Sequence, residues 1–164
     1  FLLNAGHETT SNLIGNGVHL LLTQPAERER LRADPGLIEC AVEEILRCES
    51  PNQLGNRTTT AESEIGGVTI PAGTVLTLCI GAANRDPEVF ADPDRFDIAR
   101  SPNPHLAFGA GIHTCAGLNI ARLEGRVAIG RMLARFPRLR LDGDPVRSQR
   151  ARFRGFDSVP LAIR

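Results

Sequence analysis

The sequence predicts a mainly α chain with small β hairpins, and three observations carry that expectation. Apolar residues recur at helical spacing in the segments around 1–22, 34–48 and 116–136. The strand-like stretches are short and joined by glycine turns, as in Ile65-Gly66-Gly67-Val68. No strand–helix–strand repeat, internal repeat or low-complexity linker divides the chain. Residues 1–164 are therefore expected to form one partial domain.

The elements follow in order. Phe1 to about Leu22 is helix-compatible, although Gly6, Gly15 and Gly17 each weaken it by up to roughly 1 kcal/mol relative to Ala. Pro25 opens a short helix towards Ala33, since its missing N–H costs nothing in a first turn. Asp34-Pro35 then supplies an N-cap and first residue for a third helix. Leu37, Ile38, Ala41, Val42, Ile45 and Leu46 give that helix a wide apolar stripe, and it ends before Ser50-Pro51. The Gly66-Gly67 turn separates two strands, and Pro71-Ala72-Gly73 turns into a strand from Val75 to Ile80. Asp86-Pro87 opens a helical turn, and Asp92 to Phe96 reads as loop. A long helix is expected from Ala116 to about Phe136, burying Ile120, Leu123, Val127, Met132, Leu133 and Phe136 until Pro137 stops it. Arg138–Leu141 and Val159–Ile163 read as closing strands.

Composition excludes several functions. The 164 residues carry 19 basic and 19 acidic side chains, so no basic face is implied for nucleic acid or an anionic membrane. Trp and Tyr are absent, which removes the usual platforms for stacking bases. Cys40, Cys48, Cys79 and Cys115 form no C-x-x-C pair, so reduced thiols and a cytoplasmic setting are the economical reading. No apolar run reaches membrane-spanning length. Phe1 stands inside a helical pattern without an N-cap, so the start is expected to be a cut, whereas Arg164 reads as a natural end.

The most informative stretch is Phe108-Gly109-Ala110-Gly111-Ile112-His113-Thr114-Cys115-Ala116-Gly117. A glycine-broken loop delivers a cysteine to the expected start of a helix, where backbone N–H groups and the dipole favour thiolate over thiol. Gly109, Gly111 and Gly117 leave room for the backbone to approach a large flat ligand. A thiolate so held suits a haem iron that needs one strongly donating axial ligand. The bland alternative is a buried, inert cysteine in a glycine-rich turn.

In its order Phe-Gly-x-Gly-x-His-x-Cys-x-Gly the stretch resembles the haem-binding loop of the cytochrome P450 family, the haem-thiolate monooxygenases. The resemblance implies the C-terminal haem-binding part of that fold, with heme b (iron protoporphyrin IX) as cofactor and Cys115 as iron ligand. Phe108, Gly109 and Gly117 would shape the cofactor loop, and His113 and Arg57 fall where the family places partners for the propionates. Ala110, Thr114 and Ala116 depart from commoner residues without removing the ligand.

Two further motifs agree with it. Ala5-Gly6-His7-Glu8-Thr9-Thr10 resembles the family's oxygen-side helix, in which Glu8 would relay protons and Thr9 orient them within a locally opened helix. Read alone, it is the solvated face of an ordinary helix. Glu44-Ile45-Leu46-Arg47 places carboxylate and guanidinium on one helix face. In isolation that is a surface ion pair of little value. By resemblance it is buried and completed by Arg95, as a structural triad. Arg122 sits where the family presents positive charge to an acidic donor, here a ferredoxin or flavodoxin carrying electrons from NAD(P)H.

The resemblance thus implies insertion of one oxygen atom of O2 into a small organic substrate. The first helix, the loop Asn52 to Asn56 and the region around Phe153 would line its pocket. The family's larger N-terminal part has no counterpart here, so the isolated piece is expected to be inactive. It would expose an apolar stripe that includes Leu2, Leu3, Leu13, Leu20 and Leu21. A haem-binding remnant without turnover is the competing reading.

Overall fold

A computed structural model describes residues 2–164; Phe1, which the sequence places in the first helix, lies outside the described residues, as do the side chains of Leu2 and Asn4. Helix α1 (Leu2–Thr23) is followed by α2 (Pro25–Ala33), a 3-10 turn at Pro35–Leu37 and α3 (Ile38–Cys48). The Asp34 side chain accepts from the Gly36 N–H at 3.0 Å, so it caps the 3-10 turn that precedes α3. Helix α3 buries Ala41, Val42, Ile45 and Leu46, the stripe its spacing predicts.

Small antiparallel pairs come next. β1 (Leu54–Thr58) pairs with β4 (Val75–Cys79), and β2 (Ser63–Ile65) with β3 (Val68–Ile70) across the Gly66-Gly67 turn. The segment Asn52 to Asn56, expected as loop, runs into β1. Leu54-Gly55-Asn56-Arg57-Thr58 is poor in strand formers, and its pairing with β4 makes it a strand. β4 stops at Cys79 and the chain turns into the short α4 (Ile80–Ala83). After a long loop, α5 (Leu118–Arg135) leads to β5 (Arg140–Leu141), β6 (Val146–Arg147), β7 (Phe156–Ser158) and β8 (Leu161–Ala162). β5 pairs with β8 and β6 with β7.

The core lies where α1, α3 and α5 meet. A Cβ on Gly17 would fall 2.7 Å from Ile129 Cδ1 and 3.0 Å from Ile45 Cδ1. One on Gly125 would fall 3.1 Å from Leu13 Cδ2. The three helices therefore pack closely at both glycines, where an added Cβ would push aside the ends of Ile129, Ile45 or Leu13, and this packing offsets helix propensity lost at Gly17.

Two expectations are corrected. Leu13 and Leu21 do not join an exposed stripe; both are core residues, while Leu3 is exposed. On α5 the buried face is Gly125, Ile129 and Leu133, whereas Ile120, Leu123 and Val127 face outwards. Apolarity marks two stripes on this helix, and the one carrying the small residue is the one that can reach α1.

Candidate functional site

The segment after α4 is held by a buried polar hub. The side chains of Glu44 and Arg47 are both 0% exposed. Arg47 donates through Nε and Nη2 to the two Glu44 oxygens, each at 2.8 Å. Its remaining donors reach the carbonyls of Asn84 at 2.9 Å, Pro93 at 2.7 Å and Arg95 at 3.0 Å. Glu44 further accepts from the Asp97 N–H at 3.0 Å, Asn103 Nδ2 at 3.0 Å and Arg100 Nε at 3.1 Å. One α3 ion pair thereby stitches down the loop that precedes the cysteine motif.

The third member of the hub is Arg100, in place of Arg95. Arg95 contributes its carbonyl, but its side chain is 62% exposed and reaches only Asp97, at 3.7 Å. Arg100 keeps its guanidinium at 12% exposure against Glu44 and donates also to the carbonyls of Ala91, Asp92 and Arg95. Sequence spacing could not separate two arginines five positions apart in one loop, because the choice depends on where the chain folds back on α3.

From the hub the chain passes to the cysteine loop. Buried Asn84 accepts the Leu106 N–H on Oδ1 at 2.7 Å. The Cys115 N–H donates to the Phe108 carbonyl at 2.8 Å, closing the loop on itself. Gly109 takes φ +70°, and a Cβ there would sit 3.2 Å from the His113 carbonyl oxygen. Only glycine allows both the left-handed backbone and the tight closure. A 3-10 turn spans Gly111–His113, and Gly117 caps α5, leaving Cys115 three residues ahead of the first helical residue. A Cβ on Gly117 would lie 3.9 Å from the sulfur.

The four cysteines are unpaired and differ in setting. Cys115 and Cys79 are exposed, and Cys40 is half-buried. Burial, reinforced by the charge of Glu44, pushes the Cys48 thiol up to about 12, so it stays protonated. Cys115 is thus an exposed thiol with a loop built around it, and it is not the buried cysteine of the alternative reading.

A second polar cluster flanks this loop. Glu43 on α3 receives Arg122 Nε at 2.8 Å and Nη2 at 2.7 Å from α5, and lies 3.1 Å from His105 Nε2. The Arg122 guanidinium carbon stands 5.0 Å from the centroid of the Phe108 ring. Burial alone would raise the Glu43 carboxyl, but bonds from His105 and Arg122 outweigh it and hold the pKa at about 2. A depressed carboxylate stabilises the fold above its unfolded value near 4.5, and that contribution fades as pH falls from there towards 2. Acid titration followed by circular dichroism is therefore expected to show Glu43→Gln less stable at neutral pH. Its stability should also be less pH-dependent below pH 4.5 than that of the unsubstituted protein.

The oxygen-side residues are placed on the first turns of α1. Thr9 Oγ1 donates to the Ala5 carbonyl at 2.8 Å. The helix is nevertheless continuous from Leu2 to Thr23, so the expected local opening is absent; the hydroxyl bond adds to the backbone ladder without breaking it. Glu8 is one-third exposed and pairs with Arg150 of the loop between β6 and β7. The structure brings neither Glu8 nor Thr9 into hydrogen-bonding contact with the cysteine loop. Arg57 lies on β1 opposite Leu76, its side chain bonded among the described residues to the neighbouring Asn56 carbonyl at 2.8 Å, and His113 is exposed.

The C-terminal hairpin closes against α1 and α3. Glu49 accepts from Arg154 Nε and Arg147 Nη1, each at 2.7 Å. Asn16 Nδ2 donates to the Glu49 and Arg154 carbonyls, each at 3.0 Å. A bridge joins Asn52 to Phe153, so two of the segments expected to line a pocket do meet. Beside them is a cavity of about 390 Å³ bordered by Gln53, Arg147, Arg150 and Arg154. Sequence reasoning missed Glu43, Glu49, Arg100, Arg150 and Arg154, all of which act through contacts distant in sequence.

Among the described residues no group of three or more His, Cys, Asp or Glu is arranged to hold a metal ion, and no helix is long and apolar enough to cross a membrane. Residues 36–156 match the sequence profile described as Cytochrome P450. The chain is similar to the "Biotin biosynthesis cytochrome P450" of Bacillus subtilis, 54% identical over 137 residues, covering 84% of this chain and 35% of that protein. It is also similar to the "Vitamin D(3) 25-hydroxylase" of Pseudonocardia autotrophica, 55% identical over 141 residues, covering 85% and 35%. A crystal structure of P450BioI with an acyl carrier protein ligated to hexadec-9Z-enoic acid superposes with a TM-score of 0.95 at 48% identity, covering 98% of this chain and 42% of that one. The chain thus spans about two fifths or less of the length of these proteins. With the profile matched over most of its residues and both the cysteine loop and the buried hub in place, the chain belongs to the cytochrome P450 family.

Proposed function

We propose that this chain is the haem-binding, C-terminal portion of a monooxygenase. That enzyme would insert one oxygen atom of O2 into a small organic substrate and release the other as water. The observation that carries the reading is Cys115, an exposed thiol whose own N–H is fastened to the Phe108 carbonyl within a glycine-rich loop. The family uses heme b, and the residues present fit it. One soft donor is offered on a loop lacking side chains at Gly109, Gly111 and Gly117, which suits an iron that brings its remaining ligands with it. When bound, the haem supplies oxygen activation and electron transfer.

The chain's own residues have separable tasks. Cys115 would hold the iron as thiolate, and the Phe108 carbonyl keeps its backbone in place. Arg57, with no carboxylate partner among the described residues, and exposed His113 would bind the propionates. Glu8, at the rim of α1, would take protons from solvent, and the Thr9 hydroxyl would pass them towards the reacting oxygen. Electrons from NAD(P)H would arrive through a ferredoxin or flavodoxin on the sulfur side. No nucleic-acid or membrane partner is proposed, and reduced cysteines support a cytoplasmic setting.

The Thr9 assignment has a direct test. In an enzyme containing this chain, Thr9→Ala is expected to keep haem and substrate binding while product per NAD(P)H falls several-fold and hydrogen peroxide rises to match. Full coupling in the variant would refute the proton-relay role. For residues 1–164 alone we infer a haem-binding remnant without turnover. Ile112, three residues before Cys115, is 97% exposed and Leu3 on α1 is 79% exposed, so apolar side chains of both the cysteine loop and α1 lie open to solvent. Coupled hydroxylation by residues 1–164 reconstituted with haem would overturn that inference.

A further inference from the structure

The cluster on the sulfur side of the molecule points to a role for Glu43 and Arg122 that motif reading does not assign. Arg122 is not a free surface cation. Its fork is engaged at both Nε and Nη2 by Glu43, and its side chain is 34% exposed. The opposite flank is His105, whose side chain is 3% exposed. Nδ1 of His105 lies 3.3 Å from the Ala107 N–H and accepts from it, so Nε2 carries the proton that is donated to Glu43 Oε2 at 3.1 Å. One carboxylate on α3 therefore grips two side chains, from the loop and from α5.

Between those two side chains lies Phe108. Its ring centroid is 5.0 Å from the Arg122 guanidinium carbon and 6.1 Å from the His105 ring. Its carbonyl is the acceptor of the Cys115 N–H. The bond from Ala107 N–H to His105 fixes the backbone one residue before Phe108. The contacts run without a gap from α3 to the residue that carries the sulfur.

We propose that Glu43, His105 and Arg122 form a clamp on Phe108 that fixes the backbone of Cys115, and that Arg122 is a positioning residue for the sulfur and not a docking charge. The proposal rests on the reading of Cys115 as haem ligand. Lysine keeps the charge of Arg122 but cannot make the two-pronged bond or stack as a plane, so Arg122→Lys separates the two roles. A docking charge would tolerate lysine; a clamp would not.

The experiment uses the full-length haem-loaded enzyme and the variants Arg122→Lys, Arg122→Gln, Glu43→Gln and the double variant Glu43→Gln/Arg122→Gln. Three quantities are measured: the rate of haem transfer to apomyoglobin, the haem reduction potential, and affinity for a plant-type ferredoxin used as an acidic probe. Each single variant, Arg122→Lys included, is expected to release haem several-fold faster and to shift the potential in a common direction. The double variant should exceed neither single by more than about twofold, because both remove the same linkage. Ferredoxin affinity should stay within about twofold throughout.

Wild-type haem release and potential in Arg122→Lys would overturn the clamp. So would a loss of ferredoxin affinity in Arg122→Gln that lysine restores. If Glu43→Gln fails to fold, the Arg122→Lys comparison decides alone. The carbonyl spectrum of the unsubstituted reduced enzyme separates the premises: absence of the thiolate band refutes the Cys115 reading, whereas a normal band with unmoved variants refutes only the clamp.

Discussion

Arg47→Ala is expected to cost about 3–5 kcal/mol and to leave a protein that no longer holds its cysteine loop, because it takes the two-pronged partner from a Glu44 carboxylate closed to water and leaves it Arg100, Asn103 and the Asp97 N–H. It also removes the Arg47 donor from the carbonyls of Asn84 and Pro93, and one of the two arginine donors from that of Arg95. The comparison of Arg100 with Arg95 sharpens the test. Arg100→Ala removes a partner of Glu44 and three carbonyl contacts, and should cost about 2 kcal/mol or more. Arg95→Ala truncates an exposed side chain and should stay within about 0.5 kcal/mol. Urea unfolding of the three variants checks the series. Equal losses at Arg95 and Arg100 would return the third place in the hub to Arg95.

Cys115→Ala, in an enzyme containing this chain, should abolish the strongly red-shifted absorption that marks the reduced carbonyl complex of a thiolate-ligated haem. Cys40→Ala, Cys48→Ala and Cys79→Ala should each leave the band in place. Cys79 is the informative control, since it too is exposed but sits at the end of β4, outside the glycine-rich loop. Cys48 is excluded on different grounds, its thiol being held protonated by burial and by Glu44. A band that survives loss of Cys115 would refute the ligand assignment and the function built on it.

What the sequence alone determined was the local grammar. Proline and glycine punctuation set the limits of α2 and α3 and the β2–β3 turn, because backbone torsions there depend on the residue itself. The loop from Phe108 to Gly117 was legible for the same reason: glycine at 109 admits the positive φ found there, and the cysteine spacing travels with the loop. The α3 stripe was legible because one face of that helix is apolar and the other is charged.

The tertiary structure decided everything that rests on a choice between equivalent local options. Helix α5 offers two apolar faces, and only close packing at Gly125 against Leu13 selects the buried one. β1 has weak strand character and exists because β4 lies beside it. Arg95 and Arg100 are chemically identical candidates for Glu44, and the return path of the loop seats Arg100. Arg122 looks free in one dimension, yet Glu43, 79 positions away, takes both prongs of its fork. Ion pairs and helix faces are settled by distances through space, and residue spacing along the chain specifies those distances only within a single element.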